Sequence, residues 1–166
     1  VAYHAIRNLA RMARDIGAAS TRWTVMGFGR ASAGKGQVTP RNLMGYKDGT
    51  RNVKEDADFE KFVWINDGPA WQRRGSYQVV RKIQMHIENW DVDPVSDQNR
   101  IFGRSKVSGA PLTGADEFDT PDFEMMDSDG NPVIDPASHI RLAAFENNDG
   151  VRIFRRGYNY TDGINQ

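Results

Sequence analysis

The 166-residue chain is expected to form an α+β domain, with an antiparallel sheet and helices on one side, and two observations argue for that class. Apolar residues at helical spacing (Ile6, Leu9, Met12, Ala13, Ile16) mark residues 2–16 as an amphipathic helix, which Gly17 stops. Strand-like alternation places Tyr77, Val79, Ile83, Met85 and Ile87 on one face of residues 77–87, against Gln78, Lys82, Gln84 and His86 on the other. Val80 and Arg81 interrupt that pattern. The length suits one domain, able to bury roughly 70% of its unfolded surface.

The remaining elements follow in order. Residues 22–28 are predicted as a strand and residues 31–40 as a glycine-containing loop. One or two helical turns are expected over 54–59, then a short strand over 62–65. Asp93-Pro94 supplies an N-cap and a first helical position for a helix ending near Gly103. Residues 107–136 are rich in Gly, Pro and Asp and are expected to be ordered loop. A short helix is expected after Ala137 and a strand over 151–154.

Composition excludes several function classes. Hydrophobic residues make up 39% of the chain and mean hydropathy is −0.66, polar for a globular protein but not disordered. The 22 basic and 22 acidic residues cancel, so no global field draws in nucleic acid or an anionic membrane. No apolar run reaches the ~18 residues of a transmembrane helix, and the first residues show no signal-peptide pattern. With no cysteine there are no disulfides, thiolate ligands, CxxCH attachment or iron–sulfur clusters.

Two short segments carry the chemistry. Gly45-Tyr46-Lys47-Asp48-Gly49-Thr50 holds a carboxylate in a glycine-flanked turn. His139-Ile140-Arg141-Leu142-Ala143, followed by Ile153-Phe154-Arg155-Arg156-Gly157-Tyr158, adds an isolated imidazole and arginines. Taken singly, each has an ordinary reading. His139 after Asp135-Pro136-Ala137-Ser138 reads as a loop or capping residue, Asp48 as a turn former, and the arginines as surface charges. Spacing does not decide which of Arg155 and Arg156 points inward.

Both segments resemble the dye-decolorizing peroxidase family, whose hallmark GxxDG stretch is matched by Gly45 to Gly49. The likeness continues through Thr39-Pro40-Arg41-Asn42-Leu43-Met44, Gly75-Ser76-Tyr77-Gln78-Val79-Val80-Arg81 and His86-Ile87-Glu88-Asn89-Trp90. It extends to Phe102-Gly103-Arg104-Ser105-Lys106 and Ser108-Gly109-Ala110-Pro111-Leu112, in family order and over nearly the whole chain.

The resemblance implies a ferredoxin-like antiparallel sheet of the dimeric α+β barrel superfamily and a haem b (heme b) cofactor. Over residues 1–166 it implies the C-terminal haem-binding half of a larger peroxidase, without the N-terminal half or the last strand region. His139 becomes the axial iron ligand, the only one of three histidines in a haem-type context. Asp48 becomes the acid/base for peroxide, and Arg155 rather than Arg156 the distal cation. A carboxylate stays ionised in acid where an imidazole is already protonated, so an acidic optimum is the physical expectation. Gly49, Thr50 and Arg51 are implied haem or peroxide contacts, and Arg141 a propionate partner. At Ala144-Phe145-Glu146 the chain departs from the family's usual turn.

The implied activity is a haem-dependent peroxidase that reduces hydrogen peroxide and oxidises dyes, phenolics or a similar small-molecule reductant. The alternative is a haem-binding, iron-releasing (deferrochelatase-like) protein with little turnover. The resemblance is nearest to a secreted bacterial branch, which implies an extracytoplasmic location, the cytoplasm staying open. It leaves room for a homo-oligomer and for pairing with the rest of a longer chain. Two other motifs are rejected. The stretch from Gly29 to Gly36 lacks the hydroxyl of a P-loop, and Asp127-Ser128-Asp129-Gly130-Asn131 lacks the spacing of a calcium loop.

Overall fold

The computed structural model describes residues 1–29 and 36–161. The chain divides into two compact units, Val1–Gly29 with Tyr158–Gln166, and Arg30–Gly157. Residues 30–35, which include half of the expected 31–40 loop and most of the P-loop-like stretch, lie outside the described residues.

In the first unit the expected amphipathic helix is α1, Ala2–Asp15. Gly17 turns the chain off the helix at φ 70°, a left-handed conformation that costs glycine little, and its N–H donates to the Arg14 carbonyl at 2.9 Å. No residue of α1 is buried, and its stripe of Ile6, Leu9 and Met12 stands exposed. Residues 22–28 form no strand. They end in a single antiparallel bridge, Phe28 to Asn159, whose N–H···O distances are 2.8 and 3.2 Å.

The second unit contains α2 (Asp56–Phe62), α3 (Ile87–Asp91), α4 (Val95–Phe102), α5 (His139–Leu142) and a 3₁₀ turn, Phe145–Asn147. Helix α2 starts later and runs further than predicted. The Val63 and Trp64 N–H groups both donate to the Phe59 carbonyl at 3.0 Å, so residues 62–65 close a helix instead of forming a strand. Pro94 occupies the N-cap of α4 where the first helical position was expected, and Gly103 caps its end at φ 78°. The expected helix after Ala137 is α5. Residues 107–136 are ordered loop, crossed by the bridges Arg104–Pro111 and Met126–Pro132.

The predicted strands over 77–87 and 151–154 carry no ladder among the described residues, where antiparallel pairing is confined to isolated bridges. Tyr77, Val79 and Val80 are more than four-fifths exposed, and α3 begins already at Ile87. Alternation specifies which side chains share a face. A strand also needs a neighbouring backbone at hydrogen-bonding distance, which the local pattern does not encode.

An aromatic cluster forms the centre of this unit. The Tyr46 ring stacks on Phe102 at 3.9 Å between centroids, and Trp90 meets both edge-on at 6.2 and 5.5 Å. Burial pushes the Tyr46 phenol up to about 12, so it stays neutral and donates to Asn99 Oδ1 at 2.7 Å. The buried Gln98 amide donates to the Trp90 and Asp93 carbonyls, both at 3.0 Å, and accepts from Lys106 Nζ at 2.7 Å. The cluster thereby joins α3 and α4 to the turn that carries Asp48.

Candidate active site

Asp48 is placed by a tight hairpin and the turn after it. Arg41 and Lys47 bridge, the Asn42 N–H donates to the Tyr46 carbonyl, and Asn42 Oδ1 accepts from the Met44 and Tyr46 N–H groups at 3.1 Å. The Arg41 guanidinium anchors this hairpin to the Gly45, Lys106 and Val107 carbonyls at 2.7, 2.6 and 2.9 Å. Asp48 donates its N–H to the Pro40 carbonyl at 2.8 Å, and Gly49 then turns the chain at φ 97°. Beneath the turn, Glu117 accepts from Lys47 Nζ and from Thr50 Oγ1, gripping residues on either side of Asp48. Burial pushes the Glu117 carboxyl up, but the bonds from Lys47 and Thr50 and the Lys47 charge outweigh it, leaving the group below its ordinary range.

His139 opens α5 and is placed by the end of α4. A Cβ at Gly103 would lie 2.7 Å from Ile140 Cγ1 and 3.1 Å from Ser138 Oγ, so only glycine lets the two segments approach this closely. The Phe102 ring lies 5.6 Å from the imidazole. Ser138 Oγ, at the α5 N-cap, is buried without a hydrogen-bond partner.

Asp48, His139 and Arg155 line one cavity of about 350 Å³, together with Gly49, Thr50 and Arg51. Its apolar walls include Met85, Phe102, Ile140, Phe145, Val151 and Ile153, and Arg104 and Arg152 also line it. Arg155 Nη1 stands 3.6 Å from Asp48 Oδ1, with both side chains partly exposed. His139 lines the cavity, though the residue as a whole is exposed. Burial lowers its pKa, the Arg155 charge lowers it further, the Asp48 carboxylate offsets part of this, and Arg104 lowers it again. The imidazole is held neutral, the form that ligates metals.

Other predicted residues fall differently. Arg51 lines the cavity but pairs with Glu146 at 2.5 Å and stands 4.5 Å over the Phe145 ring. Arg141 is absent from the cavity lining. Its guanidinium donates to the Phe123 carbonyl at 2.5 Å and faces Glu124 at 3.5 Å. Arg156 lies over the Phe154 ring at 6.0 Å, so Arg155 is the arginine of that pair on the cavity. Sequence reasoning missed Asn52, Arg104 and Arg152 as lining residues. Arg104 is buried and donates to the Gly109 and Glu117 carbonyls at 2.6 and 2.9 Å, and Arg152 pairs with Asp58 at 2.6 Å. Nothing local marked Asn52 and Arg152, because their partners Arg155 and Asp58 are distant in sequence.

Among the described residues no group of three or more His, Cys, Asp or Glu is arranged to hold a bare metal ion. A single neutral imidazole at an apolar cavity that arginines also line instead suits a metal that brings most of its ligands within a large, flat, anionic cofactor.

The chain belongs to the Dyp-type peroxidase family, whose C-terminal domain its residues 39–166 match. Among its relatives, the deferrochelatases of Escherichia coli (strain K12) and Shigella flexneri are each 42% identical over 170 residues. The match takes in 97% of this chain and 39% of each relative, so the chain spans well under half their length. It shares the fold of a DyP-type peroxidase from Streptomyces coelicolor, with a TM-score of 0.84 and 39% identity over 98% of this chain and 45% of that one. DtpA from Streptomyces lividans, solved as an oxyferrous complex, matches with a TM-score of 0.84 and 38% identity over the same shares.

Proposed function

We propose that this chain forms the haem-holding part of a peroxidase that reduces hydrogen peroxide and oxidises a small-molecule reductant, such as a dye or a phenolic. One observation carries the reading: Asp48, His139 and Arg155, separate in sequence, line a single cavity. Family membership and the oxyferrous state of the Streptomyces lividans relative support it.

Haem b, when bound, supplies the redox-active iron that takes oxidising equivalents from peroxide and passes them to a reductant. His139 would hold the iron through its neutral ring, and the lining arginines Arg104 and Arg152 suit the propionates. Arg155 orients peroxide and stabilises negative charge developing on the departing oxygen. The Asp48 carboxylate takes the proton from one peroxide oxygen and returns it to the other, so that water leaves.

The same reading includes a ferredoxin-like antiparallel sheet of the dimeric α+β barrel kind over residues 1–166, supported by the TM-score of 0.84. It also includes an extracytoplasmic location, which rests on the resemblance alone. Haem titration followed by a peroxide and dye assay tests the function. A Soret band with turnover is expected, and failure to take up haem would overturn the proposal. Iron release is a second reading, favoured by the relatives named deferrochelatase. Iron-free porphyrin fluorescence appearing after haem loading would support it.

A further inference from the structure

We infer that Asn52 is a positioning residue for Arg155, holding that arginine's backbone so that its guanidinium faces Asp48. The inference rests on the peroxidase reading of Arg155 given above.

The Asn52 side chain pairs with the Arg155 peptide twice. Its Nδ2 donates to the Arg155 carbonyl at 2.9 Å, and its Oδ1 accepts from the Arg155 N–H at 3.0 Å. The same oxygen accepts from the Val53 N–H at 3.0 Å, which fixes the rotamer of the amide. Asn52 is itself fixed by the turn after Asp48, donating its own N–H to the Gly49 carbonyl at 3.0 Å. One four-residue turn therefore begins beside the carboxylate and ends on the backbone that presents its cationic partner.

Residues 151–157 have no strand ladder among the described residues to hold them in register. In its place a carboxamide imitates one residue of a neighbouring strand, offering a donor and an acceptor at once. Aspartate lacks the donor, serine lacks the reach, and alanine lacks both. Asp48 and Arg155 are 3.6 Å apart and partly exposed, a separation too loose for their mutual attraction to set the geometry. The Asn52 amide restrains the arginine from its backbone.

The contact involves only the Arg155 peptide, so Arg155→Leu leaves it intact and a double-mutant cycle separates positioning from chemistry. The rate constant for reaction with hydrogen peroxide is measured in the haem-loaded wild type, Asn52→Ala, Arg155→Leu and the double variant. Amide hydrogen exchange at Arg155 is followed in parallel, without peroxide. Asn52→Ala is expected to slow the reaction about 10- to 100-fold, the scale of a misplaced group, and to speed exchange at Arg155. In the Arg155→Leu background the same change should cost nothing further in rate.

If Asn52→Ala does not fold, Asn52→Asp, which keeps both acceptor bonds but replaces the donor with a charged oxygen facing the Arg155 carbonyl, enters the same cycle. A full-sized Asn52 effect in the Arg155→Leu background overturns the inference, as does an unchanged rate or unchanged exchange in the single variant. An Arg155→Leu variant as fast as wild type overturns the underlying reading instead, and is recognised by that variant alone.

Discussion

At the scale of single residues, the chemistry divides between one imidazole and one carboxylate. His139 faces the cavity, whereas His4 and His86 are not among its lining residues. His139→Ala should lose haem, and His4→Ala and His86→Ala should keep it. The intensity of the Soret band after desalting checks this, and an unchanged band in His139→Ala would remove the residue as ligand. Asp48 makes a proton-transfer prediction. Its carboxylate must be ionised to accept a proton when peroxide arrives, so an acid limb in the pH–rate profile is the expected signature. Asp48→Asn preserves shape and removes the proton acceptor. That variant should bind haem, react with peroxide ~100- to ~10,000-fold more slowly, and lose the acid limb of the pH–rate profile. Retention of both rate and limb would return Asp48 to the role of a turn former.

At the scale of elements, the site depends on how closely α4 approaches the start of α5. Gly103 ends α4 at φ 78°, and an added Cβ would meet Ile140 Cγ1 at 2.7 Å. Ile140 is β-branched and stiff, so the clash cannot relax by rotation alone. Gly130 offers a control, since it has φ 80° and an added Cβ there would meet nothing within 4 Å. Both alanine variants incur the left-handed penalty of ~1–2 kcal/mol. Gly103→Ala should add the cost of overpacking, ~1–3 kcal/mol, and also weaken haem retention by shifting His139. Thermal unfolding and haem titration of the two variants side by side check this. Equal losses of stability would show that the approach of α4 to α5 is not tight.

At the scale of the whole molecule, acid is the condition that its charge pairs resist least. Glu117, Asp119, Asp127, Asp135 and Glu146 all lie below the ordinary carboxylate range. Backbone N–H donors hold Asp119, Asp127 and Asp135 down, chief among them those of Asp116, Asn131 and Ala137 respectively. In Glu117 and Glu146 burial pushes upward, and the bonds from Lys47 and Arg51 outweigh it. A depressed carboxylate contributes stability in full above its unfolded pKa, near ~4, and loses it as pH falls through the folded value. The melting temperature should therefore be flat toward neutrality and fall below about pH 5. Glu117→Gln should lower the plateau and flatten part of the acid decline, as thermal unfolding between pH 3 and 7 would reveal. An undiminished slope in Glu117→Gln would assign the acid sensitivity to other groups.

Helices α1, α4 and α5, the glycine that ends each of α1 and α4, and the GxxDG turn were legible in the sequence because each is written in adjacent residues, whereas α3 was hidden in the end of an expected strand and α2 was only partly foreseen. Apolar spacing marked α1, Asp93-Pro94 and Gly103 bracketed α4, and Gly45 to Gly49 announced a turn around a carboxylate. The family resemblance added His139 and chose Arg155 over Arg156. Spacing was silent on that choice, whereas in the structure Arg155 faces the cavity and Arg156 lies over Phe154. What only the tertiary structure decided involves partners far apart in the chain. Arg141 turns to Phe123 and Glu124, Arg152 pairs with Asp58 beside the cavity, Glu117 grips the Asp48 turn, and Asn52 holds the Arg155 peptide. The apolar alternation of residues 77–87 likewise told which side chains share a face and nothing of what lies beside them. A sequence pattern records the local backbone preference of a segment, while a hydrogen bond or ion pair across a hundred residues exists only once the chain has closed the loop between them.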